Sequence, residues 1–196
     1  MRRLTLLPIL LLASVPLAGA ALPIDCWSLG KRGHDLEAKA CFEALTRTSD
    51  AYARAEGFWG LEAWDQANEQ FRLATQPEDS KPLYKVRWGL LLHQRFNDSD
   101  ASSLFHEALE KDPSNAEAYV GLARVSADGF DGHAVEYLKK SIELDPKLAE
   151  AHELMAELAL ENDDRSAAAE EADKAIAIDA NSLDALGAHA DRKSVV

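Results

Sequence analysis

Apolar residues recur from about residue 34 onward at spacings of three and four, separated by charged residues, which is the pattern of amphipathic helices. No segment resembles a β-strand. Asp112-Pro113 and Asp145-Pro146 mark helix ends, because helices stop before proline. The side chains at 97–100 and 163–164 are suited to cap the helices that follow. The pattern predicts helices over residues 34–46, 49–59, 62–75, 82–96, 99–111, 115–127, 131–143, 148–161, 165–177 and 182–190.

The predicted helices repeat at a nearly constant interval. The small residue near the start of every second helix recurs after 34, 33 and 34 residues, at Ala67, Ala101, Ala134 and Ala168. A fixed period near 34 residues is typical of stacked helical hairpins. Each of these small residues is followed four positions later by a second residue, which is usually larger. Three positions further on comes another small residue, and five beyond it a helix stop, as in Ala101, Phe105, Ala108 and Pro113.

The intervening helices carry the other half of a repeat. In these helices a large residue is followed by an adjacent pair, one large and one small, and then by one more packing position. The pattern occurs at Tyr119, Leu122-Ala123 and Ser126, and again at His152, Met155-Ala156 and Ala159. Together these half-patterns resemble the tetratricopeptide repeat (TPR), W-x2-L-G-x2-Y, then A-x3-F, then P. The resemblance covers about residues 50–190 and implies an all-α fold, a right-handed superhelical array of antiparallel helix hairpins.

The N-terminus has the layout of a secretory signal peptide. Arg2 and Arg3 precede an apolar run that ends in Ala-Gly-Ala at 18–20, which predicts a signal peptide over 1–20. A retained membrane anchor is the competing interpretation, but the apolar run is interrupted by two prolines and is shorter than the roughly 20 residues that cross a bilayer. We therefore expect an exported chain, periplasmic or extracellular, with no membrane association after cleavage.

The two cysteines, Cys26 and Cys41, lie fifteen positions apart. In an oxidising compartment a disulfide between them is expected, and it would hold residues 22–31 against the helix at 34–46. A redox or metal site is the alternative, and it would need a thiol with a lowered pKa or further ligands.

The sequence predicts four segments in order along the chain. They are a signal peptide over 1–20, an N-terminal capping segment with the first helix over 21–48, a TPR array of about four units over 49–190 with the last unit incomplete, and a tail over 191–196.

The tail at 191–196 interrupts a further helix that begins near Leu183. TPR arrays normally finish with a polar capping helix, and the tail does not provide one. We hypothesise that these six residues are translated from a sequencing adapter and that the natural gene continues. The same six codons in an independently assembled copy of the gene would contradict this.

Composition and motifs exclude several kinds of chemistry. The formal net charge of −13 argues against nucleic acid, which binds clustered Lys and Arg. A zinc-protease helix needs a second His four residues after the first, and after His106 and His152 those places hold Glu110 and Ala156. The acidic turns at 97–100 and 128–132 lack the ligand ladder of a calcium-binding EF-hand. We therefore predict no catalytic residue, metal ligand or cofactor, and expect His152 to be partly buried at a helix interface.

The resemblance to TPR proteins also implies a binding surface. In that family the first helix of each hairpin lines a concave groove that binds a peptide or protein segment. The corresponding positions here are Glu117, Val120, Arg124, Glu150, Glu153 and Glu157. The last three share one helical face and would form an acidic wall suited to a basic or amine-rich partner. The alternative interpretation is a solvated helix face with no ligand.

Two functions remain open from the sequence. The first is an exported, non-catalytic scaffold in which the array itself binds a protein or peptide. The second is the N-terminal repeat region of a larger exported enzyme, similar to proteins that carry a metallopeptidase-like domain after such repeats. An HExxH string downstream in the full-length gene would exclude the scaffold-only interpretation.

Overall fold

The structure, a computed structural model, describes residues 23–129, 132–180 and 186–187, with side-chain surroundings from Cys26 onward. The predicted signal peptide and the tail at 191–196 lie outside these residues. Within the described ranges the chain forms ten α-helices and no strand. They are α1 (Pro23–Lys31), α2 (Asp35–Leu45), α3 (Ala51–Gly60), α4 (Trp64–Thr75), α5 (Pro82–Gln94), α6 (Asp98–Lys111), α7 (Ala116–Asp128), α8 (Ala134–Leu144), α9 (Ala149–Glu161) and α10 (Arg165–Ile178).

Most helix boundaries agree with the predicted ranges to within two residues. The largest difference is at α8, which begins at Ala134 and not at the predicted 131, because Gly132 adopts a positive φ of 79°. Helix α4 begins at Trp64, two residues after the predicted start, because Glu62 adopts a left-handed φ of 58°. Helix α1 was not predicted, since a nine-residue segment shows too little periodicity to be recognised. The helix predicted over 182–190 lies outside the described residues except for 186–187, which are helical.

Side-chain caps set the start of several helices. Asp50 and Asn115 each accept the backbone N–H of the residue three positions later at 2.8 Å, and Asp164 does the same at 3.0 Å. Asn97 caps α6 over a longer distance of 3.5 Å. These contacts satisfy backbone donors that the first turn of a helix leaves unpaired, which confirms the capping predicted at 97–100 and 163–164.

Consecutive helices pack as antiparallel hairpins: α3 with α4, α5 with α6, α7 with α8, and α9 with α10. Helix α1 packs on α2 and is joined to it by a disulfide between Cys26 and Cys41, with the Cα atoms 5.5 Å apart. Across the described ranges, every helix is too short or too polar to cross a bilayer. The protein is therefore a row of helical hairpins, with its core between neighbouring helices.

Alternating small and large residues fill this core, as the repeat pattern predicts. The small residues Ala67, Ala101, Ala134 and Ala168 are all buried. The ring of Phe105, which is fully buried, lies between Gly89 of α5 and Gly121 of α7. A Cβ atom at Gly89 would approach that ring to 2.6 Å, and one at Gly121 would approach it to 2.3 Å. Both positions therefore require glycine, and the Phe105 ring packs between two neighbouring hairpins.

Candidate binding face

The first helices of the four hairpins lie side by side. Helix α7 packs on both α5 and α9, while α3 and α5 are connected by side chains, including a hydrogen bond of 2.8 Å from Trp59 Nε1 to Gln94 Oε1. We call this row of α3, α5, α7 and α9 the first-helix face. Its two ends differ in charge. Helix α5 contains Lys85 and Arg87 and no acidic residue, whereas α7 and α9 together contain six carboxylates and one guanidinium, that of Arg124.

A buried ion pair occupies the N-terminal end of the first-helix face. Glu56 is 1% exposed, and Arg87 donates to both of its carboxylate oxygens, at 2.7 and 2.8 Å. Trp27 Nε1 also donates to Glu56, at 2.7 Å, and the Arg87 guanidinium lies 4.3 Å from the centroid of the Trp59 ring. Burial acts to lower the pKa of Arg87, but its hydrogen bonds to Glu56 outweigh this and raise it. The Glu56 carboxylate is therefore fully engaged within the protein.

Two tyrosines flank this ion pair. The rings of Tyr52 and Tyr84 are stacked, with centroids 4.2 Å apart and planes inclined by 15°. Burial, together with the nearby Glu56 carboxylate, raises the pKa of Tyr52 well above its ordinary value. Burial and the Asp50 carboxylate also raise the pKa of Tyr84. This end of the first-helix face therefore offers aromatic surface and neutral phenols.

Three of the predicted groove residues come together at the C-terminal end. Arg124 of α7 donates through Nη2 to Glu150 Oε1 of α9 at 3.0 Å. Glu117 is exposed to solvent but has protein around much of its side chain, and this burial is the main reason that its pKa is raised. The carboxylates of Glu150 and Asp145 raise the pKa of Glu117 further, while Arg87 opposes them. An additional cation would therefore be favourable beside Glu117.

The prediction that Val120 lines a groove is wrong. Val120 is 1% exposed and belongs to the core cluster that includes Leu138 and Leu154, because it sits where neighbouring hairpins meet. The predicted acidic wall on α9 also needs correction, since Glu150 is paired with Arg124 and Glu153 is only 7% exposed. Glu157 is half-buried and has interactions of its own. The three carboxylates of α9 therefore do not form one uniformly exposed surface.

His152 has a structural environment, as the sequence predicts. It is 5% exposed, and its Nδ1 atom lies 2.7 Å from Glu171 Oε2 of α10. Burial acts to raise the pKa of Glu171, but hydrogen bonds with Lys174 and His152 outweigh it and lower the pKa. This contact connects α9 to α10 within the last described hairpin.

One cluster of possible metal ligands lies among the described residues and was not anticipated from the sequence. His93, Asp98 and Asp128 each offer a ligand atom, and these atoms lie within 4.8 Å of one another. His93 Nδ1 is 2.8 Å from Asp98 Oδ1, and His93 Nε2 is 3.7 Å from Asp128 Oδ2. These three residues come from three helices, so no local motif marks them. The same side-chain contacts also connect α5, α6 and α7, and three ligands are fewer than the four of a structural zinc site.

An apolar cleft of about 600 Å³ lies away from the first-helix face, between α8, α9 and α10. Its lining includes Ile142, Met155, Leu158 and Glu171. These residues of α9 are on a different side of the helix from Glu150, Glu153 and Glu157. The cleft and the charged residues of the first-helix face are therefore separate features.

Comparison with solved structures identifies the fold. TTC0263, a TPR protein from Thermus thermophilus, matches with a TM-score of 0.70 and 19% identity over 88% of this chain and 96% of its own. PilW, a type IV pilus biogenesis factor, matches with a TM-score of 0.57 and 21% identity over 88% and 91% of the two chains. YrrB, a TPR protein with an unusual peptide-binding site, matches with a TM-score of 0.54 and 21% identity over 85% and 88%.

The protein therefore has the TPR fold, an α-solenoid of helical hairpins, as the sequence predicts. Neither the known family models nor the curated proteins include a match to the chain.

Proposed function

We propose that this protein is an exported scaffold that binds a protein or peptide segment along the first-helix face, with basic residues of the segment placed over α7 and α9. The observation that carries the proposal is the charge of these two helices, which together hold six carboxylates and a single guanidinium. At the other end of the face, Arg87 already neutralises Glu56. The excess of acidic over basic residues is therefore at the C-terminal end, where a cationic segment is complementary.

The similar structures support a binding role. One of them, YrrB, is a TPR protein with an unusual peptide-binding site, and PilW is a pilus biogenesis factor. A rigid row of packed helices presents side chains at fixed spacings, which suits recognition of an extended segment. The sequence features that favour export are the signal-peptide pattern at 1–20 and the paired cysteines Cys26 and Cys41.

Glu117 makes the proposed binding depend on pH. Its raised pKa means that Glu117 takes up a proton at a higher pH than an ordinary glutamate does. A bound cation would favour the ionised form and lower this pKa, so binding would release protons. The affinity for a basic segment is therefore expected to fall as the pH is lowered through the raised pKa of Glu117.

The test is a titration with two peptides of equal length, one rich in Lys and one rich in Glu. Isothermal calorimetry at about 50 and 200 mM salt should show binding of the basic peptide only, weakened by salt because charges attract it. Glu117→Gln should weaken this binding, whereas Glu136→Gln, which removes an exposed charge from α8, should leave it unchanged. Equal binding of both peptides, or tighter binding of the acidic one, would exclude a basic partner.

Export is tested separately, by isolating the protein from cell fractions and sequencing its N-terminus. The proposal expects a mature chain that begins near Ala21 in the periplasm or the medium. A cytoplasmic protein that retains residues 1–20 would contradict it.

A further inference from the structure

One imidazole and two carboxylates meet where the second and third hairpins join. One ligand atom from each of His93, Asp98 and Asp128 lies within 4.8 Å of the other two. Asp98 is the first residue of α6 and Asp128 the last of α7, so the cluster connects three helices. Imidazole and carboxylate together suit divalent transition metals, whereas Mg²⁺ and Ca²⁺ prefer oxygen ligands alone.

Backbone hydrogen bonds hold the loop between α5 and α6 in one conformation. The Asn97 N–H donates to the Leu92 carbonyl at 2.9 Å. The Phe96 N–H donates to the His93 carbonyl at 2.8 Å, and Phe96 has the left-handed φ of 60° that this Schellman arrangement uses. His93 and Asp98, at the two ends of the loop, are therefore held near each other by the backbone itself.

Asp98 fixes the orientation and the tautomer of the His93 ring. The Nδ1 atom of His93 lies 2.8 Å from Asp98 Oδ1. Since a carboxylate only accepts, the hydrogen of this bond is on Nδ1, and in the neutral imidazole Nε2 then carries a lone pair. Metal-bound histidines commonly have this arrangement, with a carboxylate on the ring nitrogen that does not ligate.

The preceding repeat shows how unusual the contact between His93 and Asp128 is. Trp59 and Gln94 stand 34 residues before these two, at the same positions of the repeat, and Trp59 Nε1 donates directly to Gln94 Oε1 at 2.8 Å. His93 Nε2 and Asp128 Oδ2 are 3.7 Å apart, which is too far for a direct hydrogen bond. With a neutral imidazole this contact pairs two acceptors, where the preceding repeat pairs a donor with an acceptor.

A bound metal ion accounts for both the distance and the chemistry of this contact. Two ligand atoms of a tetrahedral zinc ion are about 3.3 Å apart, a few tenths of an ångström less than the separation of Nε2 and Oδ2. The side chains of Asp98 and Asp128 are 43% and 63% exposed, so they have room to adjust and water can complete the coordination. Zinc sites that are open to solvent keep such a position for water.

We infer that His93 and Asp128 bind a divalent transition-metal ion, best matched by Zn²⁺, and that Asp98 is the positioning residue that orients the imidazole. The ion fastens α5 to α7 and hence the second hairpin to the third. The sequence predicted no metal ligand, because these residues belong to no local motif. The inference does not rest on the proposed function, since it requires no bound segment.

The test is a titration of the full chain, first freed of metal with EDTA, with Zn²⁺ alone. At a free Zn²⁺ concentration about tenfold above Kd, the Tm should rise by about 3–6 °C. Mg²⁺ and Ca²⁺ at the same concentrations should leave the Tm unchanged, because imidazole is a poor ligand for them. An equal rise with Mg²⁺ or Ca²⁺ would indicate general attraction of cations to an acidic protein and would overturn the inference.

Calorimetry on variants separates the roles of the three residues. His93→Gln and Asp128→Asn should each weaken Zn²⁺ binding by about 100-fold or more, a larger effect than loss of an orienting partner. Asp98→Ala should weaken it by about 10–100-fold, and Asp98→Asn should recover part of this loss because its amide oxygen still accepts from Nδ1. The matched control is His106→Gln, an exposed histidine of α6, which should bind as wild type does. A loss in His106→Gln equal to that in His93→Gln would contradict the assignment.

NMR of the histidine rings keeps the test valid if a variant fails to fold. In the ¹⁵N-labelled wild-type chain, Zn²⁺ should shift the Nε2 resonance of His93 while Nδ1 stays protonated. No Zn²⁺ binding, or a shift confined to another histidine, would overturn the inference and leave water or a protonated imidazole to bridge His93 and Asp128. Either result leaves peptide binding beside Glu117 untouched.

Discussion

Arg87→Met tests the buried ion pair at the N-terminal end of the first-helix face. The substitution removes the two hydrogen bonds to Glu56, at 2.7 and 2.8 Å, and leaves that carboxylate 1% exposed with the Trp27 indole and the Tyr52 phenol as neutral donors. Breaking a buried pair in this way costs about 3–5 kcal/mol. Because the Arg87 side chain is 23% exposed and water can approach, we expect the lower end, about 3 kcal/mol.

The assay is urea unfolding followed by tryptophan fluorescence and circular dichroism. A loss of about 3 kcal/mol corresponds to a fall in Tm of about 6–12 °C for a chain of this size. The matched control is Arg72→Met, since Arg72 makes two hydrogen bonds to Glu69 but both side chains are about half exposed, and no resolvable change is expected. Glu56→Gln combined with Arg87→Met should recover part of the loss. If Arg87→Met were no more destabilising than Arg72→Met, the argument from burial would be refuted.

Three further substitutions test other parts of the account. Gly121→Ala should lower the free energy of unfolding by about 1–3 kcal/mol, since the new methyl group would meet the fully buried Phe105 ring, and an unchanged urea midpoint would contradict this packing. Replacing Cys26 and Cys41 by Ser should cost about 3 kcal/mol by the chain-entropy model and increase hydrogen exchange of the α1 amides; unaltered protection of α1 would disagree. Glu171 has a lowered pKa, so its stabilising effect is present above the ordinary pKa of glutamate and is lost as the pH falls through the lowered value. The Tm difference between wild type and Glu171→Gln should therefore shrink between pH 7 and 3, and a constant difference would exclude this linkage.

The fold was predictable because its determinants are local and repeated. A small residue at Ala101, a large one at Phe105 and a stop at Pro113 each act within one hairpin, and the same order recurs along the chain. Helix α1 has no such repetition. Its position depends on the disulfide to Cys41 and on contacts of Trp27, which involve residues far along the sequence.

The binding face was predictable only in part. Helical spacing places Glu150, Glu153 and Glu157 on one side of α9, but it does not predict how deeply each side chain is buried. Comparing Val120 with Val86 one repeat earlier would have indicated that side chains at this position of the repeat are buried. The pairing of Glu56 with Arg87 spans 31 residues and follows from the stacking of hairpins, for which no local motif exists. The alternative of a larger exported enzyme stays a prediction.

The central claim is that the acidic end of the first-helix face binds a basic segment. The most direct measurement is an amide NMR titration of the ¹⁵N-labelled chain with a Lys- and Arg-rich decapeptide. We expect the shift changes to concentrate on α7 and α9, around Glu117, Glu150 and Glu153, and to be largely absent from α8 and α10. Changes centred on the second helices, or spread evenly over the surface, would contradict the account.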